Sequence, residues 1–349
     1  RILGKGFSVD RRQDAWEKVL FNQFHDIICG SHVDSVFHAT MARYDQARAE
    51  AQLNTERQLH SIASDIDTSG PGIPITVFNM LGWDRDDVVE SSVVFSDPDV
   101  FELQVLDSRG NAVPSDLVET ERYSSGALRI TKVLFVAKEV PAFGYEVYRI
   151  IPGPYGPPST GLATSHPLNL REDKDEGWLE NEYYRIHFNL WNGNMTKLVD
   201  KRTGWNVISD EFPIGNTVVK EQDYGNFWQY NGPCKGDAFH PFADRYPMPD
   251  AASNQVDFSH NYYGDGNVFT GKAFVQFTIA HPFGSGQYST RVRLYAGIER
   301  VDIETRVLNN DERVRYRVAI PTSISDGKIT HEIPFGAIER PEGEYPAQN

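Results

Sequence analysis

Between Asp14 and Ile28 the apolar residues Ala15, Trp16, Val19, Leu20, Phe24, Ile27 and Ile28 recur at three- and four-residue spacing, the signature of one face of an α-helix. Gly30 ends that pattern. Ser31 or Asp34 is expected to cap a second helix, whose stripe Val33, Val36, Phe37, Met41, Tyr44, Ala47 and Ala51 continues through Leu59 and Ile62 to about Asp67. Two helices joined by a Gly-Ser turn make a hairpin.

At Ser69-Gly-Pro-Gly72 the period changes from helical to alternating. Ile75-Thr-Val-Phe78, Val88 to Phe95, Phe101 to Leu106 and Val133-Leu-Phe-Val-Ala137 read as strands, and the Pro/Gly-rich run from Pro152 to Pro158 reads as a linker that closes a small β-domain. From about Glu176 onward the pattern is β throughout. Tyr183 to Leu190, Lys272 to Ala280, Thr290 to Ala296, Val301 to Val307 and Arg315 to Ile320 alternate apolar and polar positions, with turn signals at Asn192-Gly, Asp265-Gly-Asn and Asn309-Asn-Asp. In the strand after Arg300 the inward set is expected to be Val301, Ile303, Thr305 and Val307. The fold expected is mostly β with an N-terminal α-helical hairpin: residues 1–70 helical, 71–155 a small β-domain, and 156–349 a large antiparallel β-sandwich.

Composition agrees with a folded chain of several units. Of 349 residues 40% are hydrophobic and 12% aromatic, and the 28 glycines and 20 prolines suit many turns. Acidic side chains number 49 against 34 basic ones, a net charge of −15, which argues against nucleic acid or an anionic membrane surface as a partner. Cys29 and Cys234 are too few for a disulfide scaffold or a cysteine-based zinc site. The apolar stretches fall short of the roughly 18 residues of a membrane-spanning helix. No charged-then-apolar leader opens the sequence; the reading leans to an intracellular protein and leaves the compartment open. The start at Arg1 without Met and the end at Asn349 read as those of a piece of a longer protein.

Chemistry concentrates in Asn22-Gln-Phe-His-Asp-Ile-Ile-Cys-Gly-Ser31. Successive helical side chains diverge by about 100°, so His25 and Asp26 are not expected to grip one metal together. They suit adjacent tasks instead: an imidazole reaching a zinc ion and a carboxylate accepting a substrate hydroxyl, with a structural cap as the plainer alternative. His32 and His38 have no zinc spacing, and His331-Glu332 reads as an exposed strand pair. The aromatic stretch Asp223-Tyr-Gly-Asn-Phe-Trp-Gln-Tyr230 offers Trp228 and Tyr230 as sugar-stacking rings or as core residues. Arg340, between turn residues, can pair with a carboxylate or a hydroxyl. Serine-nucleophile and phosphate-loop patterns are absent, and Asn194-Met-Thr196 is a glycosylation sequon of the kind chance supplies.

Trp16 with Leu20-Phe-Asn-Gln-Phe-His-Asp-Ile-Ile-Cys-Gly-Ser31 resembles the helical segment of glycoside hydrolase family 38 α-mannosidases, where Asn-Gln-Phe-His-Asp-Ile-x-x-Gly-Ser is characteristic. Val77-Phe-Asn-Met-Leu-Gly-Trp83, Leu179-Glu-Asn-Glu-Tyr-Tyr-Arg-Ile186 with Leu198-Val-Asp-Lys-Arg-Thr-Gly204, and Ile333-Pro-Phe-Gly-Ala-Ile-Glu-Arg-Pro341 extend the resemblance along essentially the whole chain. It implies a sandwich of the galactose-mutarotase-like supersandwich kind and a zinc cofactor. By it, His25 is a zinc ligand, Asp26 contacts mannose hydroxyls, and Arg340 borders the site. Trp228 and Tyr230 would lie in a loop approaching that site, and Cys29 stands where proline is commoner.

The family's retaining mechanism uses a nucleophilic Asp and a second carboxylic acid. Those groups and the other zinc ligands belong to an N-terminal domain expected to precede Arg1, so no catalytic residue is expected in this chain, which alone should be inactive. Its expected partners are that domain and an α-mannoside glycan or small mannosylated substrate, with a homo-oligomer left open. The alternatives are a non-catalytic carbohydrate-binding or scaffolding sandwich, and a related glycosidase acting on mannosylated small solutes.

Overall fold

The computed structural model describes residues 9–97, 99–153, 176–223 and 256–340. Trp228, Tyr230 and the linker beyond Gly153 lie outside them. Three helices open the fold: α1 (Val9–Phe21), α2 (His25–Ile28) and α3 (Asp34–Ala63). The stripe expected to run unbroken to Ile28 is interrupted at Asn22–Phe24. α3 starts on Val33 with no side-chain cap, so neither Ser31 nor Asp34 caps it.

Strands β1 (Ile73–Phe78), β2 (Arg85–Val94), β3 (Glu102–Leu106), β4 (Ala112–Val113), β5 (Ser115–Arg122), β6 (Leu128–Val140) and β7 (Tyr145–Gly153) form two antiparallel sheets, ordered β1-β7-β3-β4 and β2-β6-β5. Between them Val105, Val133, Phe135, Tyr148 and Ile150 are buried. The apolar run Val133–Ala137 lacks alternation because β6 is buried on both faces. Val133, Phe135 and Ala137 fill this core, while Leu134 and Val136 point the other way, onto Ala273, Phe274, Tyr295 and Ile298 of the next unit. Pro152, read as linker, belongs to β7 and pairs with Leu103. It sits beyond Ile150, where the β1 ladder begins, so no bond toward that side is lost.

The second β unit comprises β8 (Glu176–Glu180), β9 (Tyr184–Asn189), β10 (Met195–Asp200), β11 (Trp205–Asn206), β12 (Thr217–Gln222), β13 (Val256–Phe258), β14 (Asn267–Thr270), β15 (Phe274–Phe283), β16 (Gly286–Tyr295), β17 (Val301–Leu308) and β18 (Val314–Ala319). Sheets β11-β10-β9-β8 and β14-β15-β16-β17 enclose a core in which Phe188 stacks on Phe277 at 4.2 Å. Strand β17 keeps the expected inward face, and Thr305 there donates to buried Asn216 at 3.1 Å. Ile303 departs from expectation: it shares a face with Val292, but β17 is an edge strand and leaves it 40% exposed. Asn194 is buried and accepts the Thr217 hydroxyl at 2.6 Å, so the sequon lies inside the sandwich. Among the described residues a last ribbon, β19 (Ile329–Ile333) with β20 (Gly336–Arg340), forms a two-stranded sheet of its own.

A buried carboxylate lies at the centre of the joint between the two β units. Asp116, from β5, is buried and accepts the amide of Lys272 at 2.9 Å, that of Ala273 at 2.8 Å and that of Phe274 at 3.3 Å. A Cβ on Gly271 would lie 2.3 Å from this carboxylate, which explains glycine there. Around it Arg293 pairs with Glu90, Arg300 with Asp87, and Lys138 bridges Asp86 and the Gly297 carbonyl.

Replacing Asp116 by alanine strands three amides, and we expect a loss of about 2–4 kcal/mol, read as a lower urea midpoint at unchanged slope. Acid acts on the neighbouring pair. Burial alone would raise the Asp86 carboxyl, but the Glu139 amide and the Lys138 ammonium outweigh it and hold the group below its ordinary value. Its contribution is therefore complete above the unfolded value of about 4 and fades as pH falls through the lower folded value. Denaturant titrations from neutral to acid pH should show a shallower fall for Asp86→Asn than for the wild type.

Candidate functional site

Asn22 sets the position of the His-Asp pair. Its side chain is fully buried, donates to the Thr40 carbonyl at 3.0 Å and accepts from Arg43 at 3.3 Å. Arg43 also lies over the Phe21 ring, 4.4 Å from its centroid, so one α3 side chain holds both the end of α1 and the residue that leaves it. Burying the Asn22 carboxamide with its partners outweighs continuing the helix, and the chain turns through Gln23 and Phe24 before α2 restarts at His25.

The restart leaves both candidate residues on the surface. The His25 and Asp26 side chains are 78% and 55% exposed, with Nε2 3.6 Å from Oδ2. The expectation that they diverge is thus corrected: the imidazole reaches back over the carboxylate. Phe24 flanks the imidazole with ring centroids 4.2 Å apart. Asp26 is braced from the following turn, where the Ser31 hydroxyl donates to Oδ1 at 3.3 Å and the Ser31 amide to the Asp26 carbonyl at 3.0 Å. Gly30 makes this return possible with φ 77°, and the Cys29 thiol lies 3.2 Å from the Ser31 hydroxyl. The bracing role of Ser31 went unread in the sequence; the signal was its place at the end of the Gly-Ser motif.

Zinc takes four ligands, of which an exposed imidazole such as that of His25 can supply one. Among the described residues no group of three or more His, Cys, Asp and Glu side chains is placed to hold a metal. His32 has a buried Nδ1 without a partner among the described residues and lies 6.2 Å from the Phe37 ring, while His331 and Glu332 are exposed on β19. Arg340 closes β20 opposite Ile329, on an element separate from the helices.

The asparagines of two other motifs are buried brackets like Asn22. Asn79 donates to the Trp83 and Val140 carbonyls and accepts the Leu81 amide. Asn181 donates to the Tyr295 and Ile298 carbonyls and accepts the amides of Tyr183 and Tyr184.

Comparison with known proteins adds independent findings. Residues 179–345 match the model of the glycosyl hydrolases family 38 C-terminal domain, and residues 5–62 that of the alpha mannosidase middle domain. Alpha-mannosidase 2C1 of Homo sapiens is 24% identical over 337 residues, and that of Mus musculus 23% over 335. Each alignment covers 94% of this chain and 26% of the relative, so the chain spans about a quarter of these proteins. A crystal structure of a family 38 protein from Enterococcus faecalis superposes with a TM-score of 0.73 at 19% identity, over 97% of this chain and 44% of that one. Among the described residues no helix is long and apolar enough to cross a membrane.

Asn22→Ala removes the carboxamide that ends α1 together with its bonds to the Thr40 carbonyl and Arg43. We expect a loss of about 1–3 kcal/mol in urea unfolding, together with faster amide exchange between residues 22 and 31 than in the wild type.

Proposed function

We propose, because this chain belongs to glycosyl hydrolase family 38, that it forms one wall of the active site of a longer, zinc-dependent retaining α-mannosidase. In this reading residues 1–70, 71–155 and 156–349 are successive domains of that protein. The observation that carries it is the exposed, convergent His25–Asp26 pair within the segment matched by the middle-domain model.

His25, whose side chain is largely exposed, would hold zinc through its imidazole, and Ser31 keeps the Asp26 carboxylate oriented beside it. When bound, zinc supplies Lewis-acid polarisation of sugar hydroxyls. Asp26 would accept a hydrogen bond from a mannose hydroxyl and hold the ring in register, and Arg340 would border the same pocket. A retaining reaction needs a nucleophilic carboxylate and a general acid roughly 5 Å apart. Both are assigned to the preceding domain, together with the remaining zinc ligands. This division makes the 349-residue chain inactive alone while leaving it indispensable. The substrate class is an α-mannoside, either a glycan or a small mannosylated compound.

In the longer protein, His25→Ala is expected to lose bound zinc and aryl α-mannoside hydrolysis together, while Asp26→Asn keeps zinc and loses turnover. Full zinc content in the His25 variant would remove it from the ligand set. Glycan binding by the 349-residue chain that survives both a chelator and Asp26→Ala would replace the proposal by a non-catalytic carbohydrate-binding module.

A further inference from the structure

Helix α2 does little to hold the imidazole of His25. It spans four residues, none of them buried, and the His25 side chain is 78% exposed. A side chain so placed keeps its rotamer freedom, and a ligand that must be ordered as a metal arrives binds more weakly than one already in position. Among the described residues two contacts restrain it. Asp26 Oδ2 lies 3.6 Å from Nε2, and the Phe24 ring lies against the imidazole with centroids 4.2 Å apart and planes inclined at 45°.

These contacts are not equivalent. The carboxylate competes for a ring nitrogen, and the proposed function commits it to a sugar hydroxyl while Ser31 holds it from the following turn. A phenyl ring takes neither nitrogen, so it can restrain the imidazole and leave both free for a metal. The backbone suits this use. Phe24 precedes α2 in a non-helical conformation, φ −57° and ψ 140°, outside the helical turn that carries His25. Its exposure points the same way, since a ring left 55% accessible gives up much of the stabilisation that burial would supply. Phe21, also exposed, lies under the Arg43 guanidinium and so ties α1 to α3. The Phe24 ring is packed on the candidate ligand itself.

We infer that Phe24 is a positioning residue for His25: its ring narrows the rotamers open to the imidazole and thereby strengthens zinc binding. The inference rests on the proposed function in taking His25 as a zinc ligand. Contacts between aromatic rings shift such an equilibrium about two- to tenfold.

Zinc affinity of the longer protein is measured by competition with a chromophoric chelator. Phe24→Ala is expected to bind zinc about fivefold more weakly than the wild type, and Phe24→Tyr, which keeps the ring, to stay within about twofold of it. Amide exchange across residues 22–31 should match the wild type in both variants. Wild-type affinity in Phe24→Ala overturns the inference. Faster exchange across that segment in Phe24→Ala does so too, because the ring would then be a support of the turn. A raised KM for an aryl α-mannoside at unchanged zinc affinity would make the ring a sugar-stacking surface instead. His25→Ala separates the two claims. Zinc lost from His25→Ala but held normally by Phe24→Ala removes this inference alone; zinc retained by His25→Ala removes the proposed role of His25 and this inference with it.

Discussion

A buried carboxamide governs the geometry of the candidate site. Asn22 exchanges a helical continuation for bonds to Thr40 and Arg43, and this single bend places His25 and Asp26 at the start of a new turn. Asparagine suits the task because one side chain both donates and accepts, so a single buried carboxamide ties two segments together. Asn79 and Asn181 repeat the device at two β corners, each with its donor and acceptor sides satisfied. Motif residues that suggest chemistry thus serve mainly to fix the backbone. The neighbours that the brackets leave exposed, His25 and Asp26, are those to which the proposed chemistry is assigned.

The β units show the same economy. Strand β6 serves two cores at once, and the Asp116 carboxylate closes the joint by accepting three consecutive amides from the other unit. Such charge-assisted bonds in a buried setting are directional, so they fix register as well as affinity. The helices contrast sharply. Ala47 is their only buried hydrophobic residue among those described, whereas Trp16, Leu20, Phe21, Phe24 and Ile28 are exposed. A helical hairpin has no second layer of its own to cover such a face.

Much of this was legible in the sequence. The strands after Ile73, the turns at Asn192 and Asp265 and the pair of long helices follow from period and turn residues, since those signals are local. What escaped was set by tertiary contact. The bend at Asn22 depends on a carbonyl eighteen positions later, and Pro152 joins a strand because of where β1 begins. β7 itself, central in its sheet, has a mixed pattern that reads weakly as a strand. Of the site, residue types and resemblance named His25 and Asp26, but their convergence depends on side-chain reach, which no spacing rule carries.

The placement of Asn194 bears on how the protein can be made. Glycan transfer acts on chains as they emerge, before a sandwich closes, and this sequon would then be open to it. A sugar on Nδ2 of that carboxamide would have to fit inside the buried site where Oδ1 accepts the Thr217 hydroxyl. A modified chain could not close its core. Production in a host compartment without oligosaccharyl transfer therefore avoids a covalent block to folding that the finished structure would never reveal by its surface.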